Sequence, residues 1–470
     1  MAPVRISNAV EETSPGGIAA AIARLITSGD LAPGERLPTV RGLAAELGVS
    51  PATVSHAWQA LSAVGLISSR GRSGTFVRPS GSSWLPEHSL GLAGHLATTR
   101  LDLSRGTPDP ALLPRIGRAL GRVAERAETA SYHDEPVIPE LAEVLRQAWP
   151  YDSPALTVVN GAMDAFSRAL DVIVRFGDKV IVEEPGFPPF LDLLEMVGAT
   201  VVPVQLDSRG VRPDSLAAAL KQSPVAMLIQ PRAQNPTGVS MDADRAEELA
   251  QVIRTSRHGS SVIVLEDDHS GSITTAADVS LGTWLPGQVL HVRSFSKSHG
   301  PDLRIAALGG PTELLNRLIA RRMVGPGWTS RMLQHILHEL LTDPVSVAEV
   351  ELARRTYRER QERLADALSQ HGHPALPGDG VNTWIRVADE RIALVQLAAS
   401  GIRVAGGAPF FTAPHEDAQF LRVTVGHIRD EAEEVGAALA AVAVPLPASA
   451  VPPAAAAVPP PAAAPASDSG

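Results

Sequence analysis

The sequence contains no cysteine. That excludes disulfides, thiolate-bound zinc and thiol nucleophiles, and it fits a reducing compartment. No apolar run reaches the ~18 residues of a membrane-crossing helix, and the first residues lack the charged-then-apolar order of an export signal. A soluble, cytoplasmic protein with no membrane partner is expected. An overall positive charge is also missing: 41 Lys and Arg face 51 Asp and Glu, a formal charge of −10. A nucleic-acid footprint over the whole chain is therefore excluded. The deficit is uneven, because residues 1–78 hold seven Arg against five Asp and Glu. A small, slightly basic module precedes a large acidic one, and 470 residues allow two or more domains.

Within the first module, Ile18, Ile22, Leu25 and Ile26 recur at helical spacing as far as Gly29. After the Pro33-Gly34 turn, Thr39 is a predicted N-cap for a helix carrying Leu43, Ala44 and Leu47, which Gly48 closes. Ser50 caps a third helix with Pro51 in its first turn and Val54, Trp58, Leu61 and Val64 as its buried stripe. Gly65 stops it, and residues 66–77 give two short strands around a basic tip. This order predicts a winged helix-turn-helix (α+β), whose third helix enters the major groove of double-stranded DNA. Thr53, Ser55 and His56 lie opposite the buried stripe and are candidates for base or phosphate contact. Arg36, Arg41, Ser50, Arg70, Arg72 and Gly74 are placed for backbone or groove edges. The alternative is a small helical cap on an enzyme.

Residues 79–98 are rich in Pro, Gly, Ser and His and are expected to be a linker. From 444 to 470 the chain is nearly all Pro, Ala and Val, a composition that predicts a disordered tail. Between them, residues 99–443 alternate helical patterns with short β-branched runs at 157–159, 179–182, 199–203, 226–230, 261–265, 289–295 and 305–309. Such runs, apolar throughout, predict a mostly parallel sheet buried on both faces, with ligands at the carboxyl ends of its strands.

The chemically distinctive residues stand at those ends. Lys297 follows the run 289–295, where burial lowers an ammonium pKa and makes the amine a nucleophile toward aldehydes. Arg304 can pair with a phosphate, and Ser294 and Ser296 add hydroxyls. A solvated loop lysine is the alternative. Asn160-Gly161-Ala162-Met163 opens an apolar helix and so forms an anion site. Phe187 brings an aromatic ring, Asn235 sits in the turn PRAQNPTG, and Asp267 ends the run SVIVLE. Singly these are a core phenylalanine, a turn asparagine and a surface aspartate. Together they match what pyridoxal 5′-phosphate needs: an amine, a carboxylate for its ring nitrogen, a stacking face, a donor to its ring oxygen and a phosphate cradle.

Two resemblances sharpen this reading. Leu37-Pro-Thr-Val-Arg41, Ala44-Ala-Glu-Leu-Gly-Val-Ser50, Thr53-Val54 and Ser73-Gly-Thr-Phe-Val77 resemble the GntR winged-helix pattern in order and spacing. Residues 100–443 resemble the class I/II aminotransferases of fold type I, a mostly parallel α/β sheet with a smaller C-terminal subdomain. That resemblance implies that Lys297 condenses with the cofactor aldehyde, Asp267 pairs the pyridine nitrogen, Asn235 contacts the ring hydroxyl and Phe187 stacks on the ring. It further implies that Ser294, Ser296, Arg304, Ala162 and Met163 bind phosphate, that Tyr132 reaches the phosphate of a neighbouring subunit, and that Arg422 clamps a substrate carboxylate. A GntR head on such a body resembles the MocR subfamily of transcriptional regulators. The resemblance implies a head-to-tail homodimer that binds promoter DNA, pyridoxal phosphate and often an amino-compound effector. An aminotransferase with a vestigial head, or a sensor of the cofactor that controls vitamin B6 supply, are the alternatives.

Three positions depart from the family pattern. His269 stands where a tyrosine usually reaches the ring oxygen and is the candidate to bind the cofactor in its place, Met163 stands where Ser or Gln is frequent, and Val137 where a glycine is expected. Cofactor binding survives the loss of the tyrosine more readily than turnover does, so little or no physiological turnover is expected. No metal site is predicted at His371 and His373, the run Glu351 to Arg363 reads as a solvated helix face, and His299 as a loop histidine.

Overall fold

The computed structural model describes residues 2–10, 12–63, 66–69, 74–77, 85–86, 88–89, 99–124, 134–413 and 419–444. Its head comprises helices Pro15–Thr27, Val40–Leu47 and Pro51–Ala63, then strands Ile67–Ser69 and Thr75–Val77 paired antiparallel. Side-chain chemistry sets the helix starts: the hydroxyls of Ser14, Thr39 and Ser50 accept the N–H groups of Gly17, Gly42 and Thr53. Gly48, at φ 65°, ends the second helix in the left-handed conformation that costs glycine least. Ile18, Ile22, Leu43, Ala44, Val54, Trp58 and Leu61 form the core as their spacing predicts. An additional helix, Ala2–Ala9, buries Ile6 in that core. With one such anchor it shows no period in the sequence. Tyr132, Val64, Gly65, Arg70 and Arg72, most of the linker and nearly all of the tail lie outside the described residues.

The body is built on an eight-stranded sheet. In spatial order its strands are Ala155–Val159, Ala306–Gly310, Val289–Ser294, Ile263–Asp268, Ala226–Ile229, Lys179–Glu184, Thr200–Asp207 and Gly210–Val211. The five from Val289–Ser294 to Thr200–Asp207 run parallel, Ala306–Gly310 and Gly210–Val211 run antiparallel to them, and Ala155–Val159, antiparallel to Ala306–Gly310, shares the direction of the five. Val180 and Val182 pack with Phe166, Leu170 and Leu194 on one face, whereas Ile181 packs with Leu216, Leu249 and Ile253 on the other. Burial on both faces explains the unbroken apolar runs.

The smaller subdomain has a four-stranded sheet in the order Thr383–Val387, Gln419–Val423, Ile402–Gly406 and Leu101–Leu103. The last strand comes from the beginning of the body and lies parallel to Ile402–Gly406, so two distant parts of the chain make one subdomain. Leu103 sits with Ile402, Leu421 and Val435 in its core. Helix Pro344–Gln370 spans the run Glu351 to Arg363, and the solvated-face expectation is only partly met. Tyr357, Arg360 and Gln361 are buried there, and Arg360 pairs with the buried Asp109 at 3.0 Å. A buried cation persists where a paired carboxylate offsets its desolvation. Among the described residues, no helix is long and apolar enough to cross a membrane.

Candidate cofactor and effector site

Strand ends bring the predicted residues together. Lys297 lies in the turn just after strand Val289–Ser294, half-buried, and its ammonium donates to the carbonyl of Gly106. Burial lowers its pKa to about 8, the Arg422 guanidinium pushes the same way, and the Asp267 carboxylate opposes both. Asp267 is the fifth residue of strand Ile263–Asp268 and only 2 % exposed. Burial pushes its carboxyl up to about 7, with the Asp268 carboxylate adding to the rise and a hydrogen bond from Gln230 opposing it. Asp268 behaves oppositely: Arg232, Arg293 and His291 outweigh its burial and hold it well below the usual carboxylate range. Adjacent carboxyls on opposite sheet faces thus take different states.

Asn235 is buried, and its Oδ1 lies 3.5 Å from both Arg422 Nη1 and Asn382 Nδ2. Phe187, half-buried, precedes helix Pro188–Met196 and is fixed edge-on against Phe190 at 5.3 Å. Arg422 is 2 % exposed, donates to the Ser104 carbonyl, and lies over the Phe410 ring at 5.2 Å. Burial lowers its pKa to about 10.

An anion cradle forms where Gly161 (φ 92°) precedes helix Ala162–Ile173. A Cβ on Gly161 would stand 3.2 Å from Nη2 of Arg304, which itself lies 3.4 Å from the Asn160 carbonyl. The guanidinium and the helix N-terminus therefore face one space, and the positive φ at 161 together with this close approach favours glycine there. Ser294 is buried with its hydroxyl accepting the Ser296 N–H at 3.3 Å, and Met163 packs on the sheet core.

His269 departs from expectation. Its Nε2 faces the Ala233 carbonyl at 2.9 Å, which accepts only, so Nε2 carries the proton. Its Nδ1 lies 3.1 Å from the Ser270 hydroxyl, and burial lowers its pKa to about 4. A neutral imidazole with both nitrogens committed to protein has no donor left for a cofactor. His299 is also buried, against Phe295 and the Ser298 hydroxyl. Sequence reasoning missed Gly106, at φ 62°, where a Cβ would stand 3.1 Å from Arg422. A glycine between polar residues soon after a short apolar run was the available signal.

In the head, Arg36, Arg41, Ser50 and His56 are exposed, and Thr53 and Ser55 are half-buried on the side away from Val54 and Trp58. Gly74 has φ 108°, and the Arg36 guanidinium lies directly over it.

Residues 98–439 match the family Aminotransferase class I and II, and residues 16–77 match the bacterial regulatory proteins of the gntR family. The chain belongs to the class I and II aminotransferase family. Its gntR head makes it a DNA-binding transcriptional regulator of the MocR type. It is 36% identical over 411 residues to the vitamin B6 salvage pathway transcriptional repressor PtsJ of Salmonella typhimurium, covering 86% of this chain and 92% of that one. Identity to the HTH-type transcriptional regulator TauR of Rhodobacter capsulatus is 29% over 467 residues, covering 89% and 94%. The body has the fold of kynurenine aminotransferase from Pyrococcus horikoshii, with a TM-score of 0.65 at 21% identity over 74% of this chain and 91% of that one.

The family cofactor is pyridoxal 5′-phosphate, and the residues present fit it. Among the described residues, Asp267 Oδ1 is buried without a hydrogen-bond partner, as is Arg422 Nε. An unpartnered buried polar atom costs about 1–3 kcal/mol. The first awaits a donor such as a ring nitrogen, the second an acceptor such as a carboxylate.

Proposed function

We propose that the chain regulates transcription by sensing pyridoxal phosphate itself, with an amino-compound effector acting through the same site. Bound there, the cofactor supplies an aldehyde that condenses with amines and a ring that withdraws electrons. In this reading Lys297 is the condensing amine, and its lowered pKa raises the neutral fraction at pH 7. Asp267 Oδ1 takes the ring nitrogen, Phe187 stacks, and Asn235 contacts the ring oxygen. Arg304, Ser294, Ser296 and the amides of Ala162 and Met163 hold the phosphate, and Tyr132 reaches across a homodimer assembled head to tail. Promoter contact falls to Thr53, Ser55 and His56 on the third helix, with Arg36, Arg41, Ser50 and Gly74 around it and with Arg70 and Arg72, outside the described residues, as further candidates.

One observation carries the sensing reading. Asp267, Asn235 and Phe187 support a seat for the ring, yet His269, where the family pattern has a tyrosine, has both nitrogens committed to Ala233 and Ser270. Such a site holds the cofactor without tuning it for turnover. The name of the 36% identical PtsJ, a vitamin B6 salvage repressor, supports the cofactor as signal. The unpartnered Nε of Arg422 favours an added carboxylate-bearing amine.

The test is binding to the DNA beside the protein's own coding region, measured against pyridoxal phosphate with and without a panel of amino acids. A change of at least about tenfold, equivalent to ~1.4 kcal/mol, is expected with cofactor alone and is lost in Lys297→Ala. DNA affinity indifferent to cofactor and amines alike refutes sensing. Turnover at an ordinary enzyme rate, about 1 to 10³ per second, would favour an aminotransferase instead.

A further inference from the structure

Three buried side chains, Glu183, Gln230 and Gln234, have no part in the contacts proposed above. Each ties together elements that carry those contacts. Gln230 Nε2 donates to Asp267 Oδ2 at 2.8 Å, and Gln230 Oε1 accepts the backbone N–H of Asn235 at 2.8 Å. The Gln230 backbone N–H donates to Glu183 Oε2 at 3.1 Å. Gln234 Nε2 donates to the same oxygen at 3.3 Å and to the Pro185 carbonyl at 2.9 Å, two residues before Phe187.

We propose that Gln230 is a positioning residue for the cofactor ring: one amide presents Oδ1 of Asp267 to the pyridine nitrogen and seats Asn235 under the ring oxygen. The inference deepens the cofactor-sensing reading and rests on it.

Donor and acceptor direction decides the matter. The backbone N–H of Asn235 only donates, so the amide oxygen of Gln230 must face it. The amide nitrogen then faces Asp267 and only donates, so Oδ2 must accept. A proton on Asp267 therefore resides on Oδ1, the oxygen without a partner. With the cofactor bound, Asp267 would give that proton from Oδ1 to the pyridine nitrogen and remain as a carboxylate whose Oδ2 Gln230 still holds. The transfer moves one proton from oxygen to nitrogen and balances without a co-reactant. Glu183 completes the arrangement. Burial pushes its carboxyl up to about 8, so at pH 7 it anchors Gln230 and Gln234 without a second negative charge beside Asp267.

The test uses the full chain loaded with pyridoxal phosphate and the variants Gln230→Leu and Gln230→Glu. Readouts are the dissociation constant, the pH midpoint of the bound cofactor's visible absorbance, and the thermal midpoint of the cofactor-free protein. Gln230→Leu leaves Asp267 Oδ2 and the Asn235 N–H unpartnered, and binding is expected to weaken about tenfold or more. Its pH midpoint rises, because a less firmly protonated ring withdraws less charge from the lysine linkage. Gln230→Glu retains the acceptor for Asn235 but not the donor to Asp267, and is expected to raise the midpoint while remaining folded. A merely structural role would lower the thermal midpoint and leave the pH midpoint alone. Unchanged affinity and pH midpoint in Gln230→Glu overturns the proposal, whatever Gln230→Leu does. Wild-type protein that takes up no cofactor overturns the sensing reading as well.

Discussion

Replacing Lys297 by methionine should stabilise the cofactor-free protein near neutral pH, although it abolishes covalent cofactor attachment. Burial lowers the Lys297 pKa from 10.5 to about 8, so the folded state binds this proton less tightly than the unfolded chain. A depressed folded pKa gives stability that is fully present above the unfolded value and is lost as pH falls through the folded value. The lysine contribution is thus intact above about 10.5 and gone below about 8. The loss is the 2.5-unit difference at 1.36 kcal/mol per unit, or about 3 kcal/mol. Methionine, of similar length and neutral, removes that penalty and forgoes the contact with Gly106. The assay is urea unfolding of cofactor-free wild type and Lys297→Met between pH 6 and 10.5, followed by tryptophan fluorescence of the body. The variant's advantage should be largest at the acidic end and shrink through the window. An advantage that stays constant with pH would refute the reasoning, because only a titrating group makes it pH-dependent.

The opposite sign holds for Asp267, whose folded pKa is raised from 3.8 to about 7. Its contribution to the cofactor-free protein is present below 3.8 and lost as pH rises through about 7, so Asp267→Asn should flatten that segment of a stability-against-pH curve while weakening cofactor binding. Gly161→Ala places a Cβ 3.2 Å from Arg304 at φ 92° and should weaken binding of the cofactor and of inorganic phosphate alike, read by calorimetry. Arg422→Lys should leave cofactor affinity nearly intact but weaken a carboxylate-bearing effector about tenfold or more, since the planar fork is lost; equal loss for an effector without a carboxylate would count against the clamp. Asp192, within the helix Pro188–Met196 that Phe187 precedes, accepts the backbone N–H groups of His88 and Ser89 at 2.9 Å and so ties linker to body. Asp192→Ala should speed amide hydrogen exchange at residues 88 and 89, measured by mass spectrometry.

Local chemistry made much of this molecule legible in advance. Ser50 before Pro51, Thr39 before Val40 and Gly48 after Leu47 mark helix ends because capping acts within three or four residues. The runs around Ile181 and Val292 identified buried strands for a similar reason: burial on both faces leaves no polar positions along a strand. Lys297, Asp267 and Asn235 stood out because each follows or ends such a run. Gln230 and Glu183 did not, since a single polar residue ending a strand looks the same whether it meets solvent or another buried group.

The sequence by itself therefore determined the two modules, their element types and the residue types of the candidate site, since these follow from spacing and residue type over short stretches. Only the tertiary structure decided that Leu101–Leu103 completes a sheet with strands some three hundred residues later. It alone decided that the guanidinium of Arg422 requires glycine at 106, and that the nitrogens of His269 are already committed. Those outcomes depend on which distant groups arrive within a hydrogen bond of one another, a consequence of packing that no local pattern encodes.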